Sequence, residues 1–178
     1  MTDSFPEYFK YWGKADRDDP AKYHLLPFHC LDVAAVGWWL LDPLKPLCQQ
    51  ISGELGVRPA WLQKWFCFCL SLHDLGKFAT AFQGIISHES KNLVPSNSRM
   101  PYTERHDTLG FWLWRENLFA RLEKSLSNKA EWLKRIVRWL EIVTGHHGMP
   151  PKKSGGRISN FFELEDEEAA NQFEPVQY

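Results

Sequence analysis

Apolar positions recur at helical spacing along most of the chain, and strand-type alternation is almost absent. Residues 1–23 are irregular; Phe5, Tyr8, Phe9, Tyr11 and Trp12 read as an aromatic lid, and Gly13 to Lys22 as a charged loop. A helix is expected over His29–Leu41, entered through Pro27, with an apolar stripe of Val33, Val36 and Leu40. A short helix follows at Pro46–Gly53. Pro59 opens the next one, an apolar run ending at Leu72. Gly76 supplies a left-handed stop, and Lys77–Ile86 reads as one further helix with Phe78, Phe82, Ile85 and Ile86 on its inner face. Residues 88–102 lack periodicity and form a long loop. His106 then starts a helix carrying Leu109, Trp112, Phe119, Leu122 and Leu126. Asn128, with Glu131 three residues on, caps another helix, whose stripe is Trp132, Ile136, Trp139, Leu140 and Val143. Gly145 ends that helix. The pattern predicts an all-α domain over residues 1–150, followed over 151–178 by an irregular tail or by the start of a truncated remainder of the same domain.

The composition narrows the function. Nine Trp and twelve Phe among 178 residues favour large packed helix contacts. A formal charge of −1 provides no global basic field for nucleic acid, so a polyanion site needs metal ions or a local patch. Cys30, Cys48, Cys67 and Cys69 form no C-x-x-C pair and read as free thiols in a reducing cytoplasm. No stretch approaches the ~20 apolar residues of a membrane span.

The chemistry collects at helix ends. Five of the seven histidines, His29, His73, His106, His146 and His147, fall where a helix starts or stops. Asp74 follows His73 directly. One reading is structural: His73 bonds a carbonyl, Asp74 caps the next helix, and His24 and His88 are ordinary structural histidines. The other is a pocket ringed by helix termini, where imidazoles and a carboxylate converge on divalent transition metals such as Mn, Fe, Co, Ni or Zn. Two ions bridged by Asp74 would suit phosphoester chemistry, by activating water and neutralising phosphoryl charge. Lys77 is either a solvated lysine after a helix end or a contact to a phosphate oxygen.

The segments YWGK, HLLPFHCLDVAAV, LHDLGKF, the His106 helix and GHHG occur in an order that resembles the N-terminal HD nuclease domain of the type I CRISPR-associated helicase-nucleases. The resemblance implies a helical HD-domain bundle holding two metal ions. His29, His73 and Asp74 would take the first; Asp74, His106, His146 and His147 the second. Lys77 would be the lysine of the HD-x-G-K motif, with Asp74 and Lys77 as the catalytic pair. It implies a prokaryotic, cytoplasmic nuclease for single-stranded DNA in antiviral defence, fed by a helicase core normally on the same polypeptide and recruited by an RNA-guided surveillance complex.

Two departures qualify the match. The first-ion set in that family ends with a late Asp in a segment like S-D-W, absent before Tyr178; Asp166 is the only Asp after Asp107 and lies in an acidic run. The expectation is a fragment or a variant lacking that ligand, with Asp32, on the face of His29, as a possible substitute. No G-x-x-x-x-G-K-[ST] loop is present, so the helicase engine is not on this chain. Two other functions fit the same residues: a phosphohydrolase of small nucleotides or cyclic dinucleotides, and an incomplete, non-catalytic metal-binding module.

Overall fold

The computed structural model describes residues 5–19, 21–88, 90–118, 130–152 and 155–173. These are mostly helical: α1 (Leu26–Leu40), α2 (Pro46–Leu55), α3 (Pro59–Ser71), the short α4 (Thr80–Gln83), α5 (His106–Leu113), α6 (Ala130–Thr144) and α7 (Leu164–Gln172). A π-helical turn at Trp114–Leu118 extends α5. The continuation of its stripe through Phe119, Leu122 and Leu126, and the expected cap at Asn128, lie outside the described residues. No described helix is long and apolar enough to cross a membrane.

The first departure from the expected fold is at the N-terminal end. Tyr11 and Trp12 are not a lid; they are 2% and 5% exposed and belong to the main core. Residues Trp12–Ala15 form a strand, β1, paired antiparallel with Tyr23–Leu25, β2, through an irregular register at Trp12–Lys14. Gln83, fully buried, anchors this ribbon: its amide accepts the Trp12 N–H at 3.0 Å and donates to the Trp12 carbonyl at 3.0 Å and the Lys77 carbonyl at 2.7 Å.

The second is in α1. Its core-facing positions are Leu26, Cys30 and Gly37, whereas Val36 and Leu40 of the expected stripe are exposed. Residues Val33 and Leu40 line an apolar groove instead. Helix α1 is apolar nearly all round, so its pattern alone does not say which side faces inward.

The third is the segment Lys77–Ile86. It is not one helix but a 3-10 turn, Leu75–Phe78, followed by α4. Ala79 between them is extended, and the Thr80 N–H bonds the Asp166 carboxylate at 2.9 Å instead of an upstream carbonyl.

Asp166 belongs to the stretch over 151–178, expected as an irregular tail or as the start of a truncated remainder of the same domain. The stretch after Pro151 carries α7, capped by a reciprocal Glu163–Asp166 box, and buries Phe161, Phe162, Ala169 and Ala170. The Asp166 carboxylate is 1% exposed and accepts four bonds: from the Tyr11 hydroxyl (2.8 Å), Thr80 Oγ1 (3.1 Å), Thr80 N–H (2.9 Å) and Glu163 N–H (2.8 Å). Burial pushes its pKa up against the lowering effect of these donors. It is a structural clamp joining the two ends of the fold. Replacing Asp166 by Ala strands several buried donors, so a loss of roughly 3–5 kcal/mol is expected in urea unfolding. A loss below ~1 kcal/mol would contradict the clamp.

Candidate metal centre

Four separate parts of the fold supply the site. His29 comes from the first turn of α1. His73 and Asp74 follow the end of α3, His106 is the first residue of α5, and His146 and His147 come just past α6. The structure brings all of these residues, together with Lys77, into one cluster.

Asp74 is its hub, 1% exposed. Oxygen Oδ2 lies 2.9 Å from His29 Nε2, 3.1 Å from His73 Nε2 and 2.7 Å from Lys77 Nζ. Oxygen Oδ1 faces the other way, 3.3 Å from His106 Nε2 and 3.5 Å from His146 Nε2. His147 Nε2 is 2.9 Å from His106 Nε2. The ligand atoms therefore fall into two groups, His29–His73–Asp74 and His106–His146–His147, each with its atoms within 4.8 Å of one another. The carboxylate offers one oxygen to each side.

The hydrogen bonding fits a cation. His73 Nδ1 lies 2.5 Å from the Leu70 carbonyl, which can only accept, so Nδ1 carries a proton. In the neutral ring the Nε2 lone pair then points at Asp74, an arrangement that calls for a second ring proton or a metal ion between them. His146 Nδ1 donates to the Val143 carbonyl at 3.3 Å, which likewise leaves its Nε2 free to ligate. Metal-binding imidazoles commonly hold their other nitrogen in this way. Asp74 Oδ1 is buried without a well-formed hydrogen bond, the kind of orphaned acceptor that an ion would satisfy.

Charge follows the same logic. Burial by itself would raise the Asp74 pKa; ring N–H groups of His106, His29 and His73 that donate to it outweigh burial and hold the carboxyl far below its ordinary range, a role that a cation at the same nitrogens would take over. Burial pushes His146 down to about 4 against the pull of Asp74. His147 is also lowered, by burial and then by neighbouring His106. Burial thus favours the neutral, lone-pair-donating form of both rings.

Lys77 is not solvated. It is 4% exposed, and its ammonium donates to Asp74 and, at 2.8 Å, to the Gly13 carbonyl. Gly76 has no left-handed backbone. Its hydrogen is needed for contact: a Cβ there would sit 1.8 Å from the His106 carbonyl oxygen and 2.5 Å from Gly110 N. The turn after Asp74 is thereby pressed onto the start of α5, which delivers His106 to Asp74.

Asp32 does not join the centre. It is exposed, and its Oδ2 pairs with His24 Nε2 at 3.0 Å. His88 Nε2 lies 3.2 Å from the Val94 carbonyl, in a loop. Tyr102, which the sequence pattern leaves in a loop, contacts His106 at two points. The only local signal is its position four residues ahead of a helix-initial histidine.

Beside the centre lies a groove of about 650 Å³ between α1, α2, α3 and α6. Trp65, Phe66, Leu70, Trp139 and Ile142 line it, with His73 and His146 at its edge, and no Lys or Arg is among the described residues that line it.

The family model described as Cas3, HD domain, matches residues 12–176. The CRISPR-associated endonuclease/helicase Cas3 of Escherichia coli (strain K12) is 30% identical over 156 residues, covering 78% of this chain and 17% of that protein. The crystal structure of T. fusca Cas3-ATP superposes with a TM-score of 0.67 at 21% identity, over 95% of this chain and 19% of its own. A second solved structure, of a CRISPR-associated protein, gives 0.59 at 24% identity, over 97% and 20%. The chain thus spans about a fifth or less of the length of these relatives. At these identities the superpositions speak for the fold, while the match along residues 12–176 speaks for descent: the chain belongs to the Cas3 HD-domain family, a family of CRISPR-associated HD nucleases.

Proposed function

We propose that this domain is a divalent-metal-dependent nuclease that hydrolyses phosphodiester bonds of single-stranded DNA in CRISPR interference. The observation that carries the reading is the buried Asp74 carboxylate with one oxygen turned to each of two three-residue ligand groups. His29, His73 and Asp74 would hold one ion, and Asp74, His106, His146 and His147 the other; Mn, Fe, Co and Ni suit such donors, and Zn is compatible. When bound, such ions lower the pKa of water and neutralise charge on a transferring phosphoryl group.

The residues of the chain do the positioning. Lys77 and His29 fix the Asp74 carboxylate from one side, so that both its oxygens keep their directions. Lys77 is in this reading a positioning residue and not a contact to phosphate. The Leu70 and Val143 carbonyls select the ligating tautomers of His73 and His146. Trp139 and Phe66, both partly exposed where they line the groove beside His73 and His146, offer surfaces on which unpaired bases can stack, at ~1–3 kcal/mol per base. A stiff duplex about 20 Å wide, with its bases already stacked, cannot use them. In this reading a helicase core and an RNA-guided surveillance complex deliver the strand.

With Mn²⁺ or Co²⁺, the expected result is cleavage of single-stranded DNA well ahead of blunt duplex, with a shallow salt dependence because the described groove lining carries no Lys or Arg. Gel analysis of both substrates, alongside dNTPs and cyclic dinucleotides, checks this. Equal cutting of duplex would defeat the single-strand reading, and turnover of the small nucleotides alone would replace it with a nucleotide phosphohydrolase.

A further inference from the structure

His73 and His146 each anchor Nδ1 on a backbone carbonyl, whereas His106 has a side chain in that place. The Tyr102 hydroxyl lies 3.2 Å from His106 Nδ1 and accepts the His106 backbone N–H at 2.8 Å. Arg105, at the N-cap position of α5, makes no capping bond through its side chain. One hydroxyl therefore satisfies the first N–H of the helix and also grips the ring that the helix presents. The Tyr102 ring is itself held, edge to face with Phe82 at 5.6 Å, and Phe82 packs in turn against the His106 ring at 5.3 Å. A hydroxyl both donates and accepts, so it can meet Nδ1 with or without a proton. When Nδ1 is protonated, Nε2 is the lone-pair atom, and Nε2 is the atom that faces Asp74 Oδ1 and His147.

We propose that Tyr102 is a positioning residue for His106 and sets the affinity of the His106–His146–His147 ion position, leaving the His29–His73–Asp74 position untouched. The proposal rests on the two-ion reading above. Loss of a supporting partner of a metal-bound histidine typically lowers affinity by about 10–100-fold.

The test titrates metal-free parent and Tyr102→Phe proteins with Mn²⁺ by calorimetry and counts bound ions by elemental analysis. The parent is expected to bind two ions. In Tyr102→Phe, one should bind as before and the other about 10–100-fold more weakly. A parent that binds a single ion overturns the two-ion reading and this proposal with it. Two ions in the parent with unchanged affinities in Tyr102→Phe overturn this proposal alone, even if the variant melts at a lower temperature, since that pattern is helix capping only. Ring-nitrogen NMR of the metal-free parent needs no variant: a hydrogen-bonded Nδ1 signal is expected for His106, and a freely averaging ring would overturn the assignment.

Discussion

Asp74→Ala is expected to remove metal-dependent cleavage and the binding of both ions. Among the described residues the carboxylate is the group placed between both ligand sets, so its loss takes a ligand and a negative charge from each at once. The fall in cleavage should reach at least about a thousandfold, beyond the roughly 10–100-fold cost of losing an outer partner. The motif's place at a helix end suggests a substitution without cost to folding, but the structure argues otherwise. Lys77 is buried against Asp74, and truncation leaves its ammonium with the Gly13 carbonyl as its remaining hydrogen-bonded partner of the two. Breaking a buried pair of this kind costs about 3–5 kcal/mol. Asp74→Asn, which keeps the shape and removes the charge, is therefore the companion variant. Thermal melts identify which of the two remains folded, and cleavage of single-stranded DNA at the parental rate by that protein would end the metal-centre reading.

Gly76→Ala is the other change of large expected effect, although it adds a single methyl group. The atoms that the new Cβ would meet, the His106 carbonyl and Gly110 N, are backbone and cannot swing aside. The 3-10 turn and α5 would have to separate by more than an ångström. Overpacking generally costs about 1–3 kcal/mol, and a backbone clash this deep belongs at or above the top of that range. The same separation draws His106 away from Asp74 Oδ1, so stability and ion binding should fall together. Urea unfolding and Mn²⁺ titration of Gly76→Ala check both. A variant as stable as the parent would show that the two segments are not pressed together as described.

What could be read in the sequence divides along physical lines. Residues His29, His73, Asp74, His106, His146 and His147 stood out because their chemistry is unusual at helix ends, and the structure gathers them. Lys77 was ambiguous because local sequence does not carry burial: a lysine after a helix end reads as solvated, and only the long-range approach of Gly13 and Asp74 shows otherwise. The ribbon of β1 and β2 was invisible because three or four residues with an irregular register leave no alternation to detect. Helix α7 was hidden by its acidic composition, since it contributes small core residues, Ala169 and Ala170, in place of a broad apolar stripe. The break at Ala79 depends on an acceptor that arrives from residue 166, far outside any local window.

That clamp has a consequence for how the molecule is built in time. Every proposed ligand has been synthesised once the chain reaches His147, but the helix that backs the ligand-bearing turn comes later: α7 packs on Leu75–Phe78, and Phe173 meets Phe78 at 5.7 Å between ring centroids. Closing Tyr11 and Thr80 onto Asp166 spans separations of 155 and 86 residues, contacts of the non-local kind that form slowly. A growing chain thus holds all its imidazoles before it has the helix that packs behind the turn following Asp74.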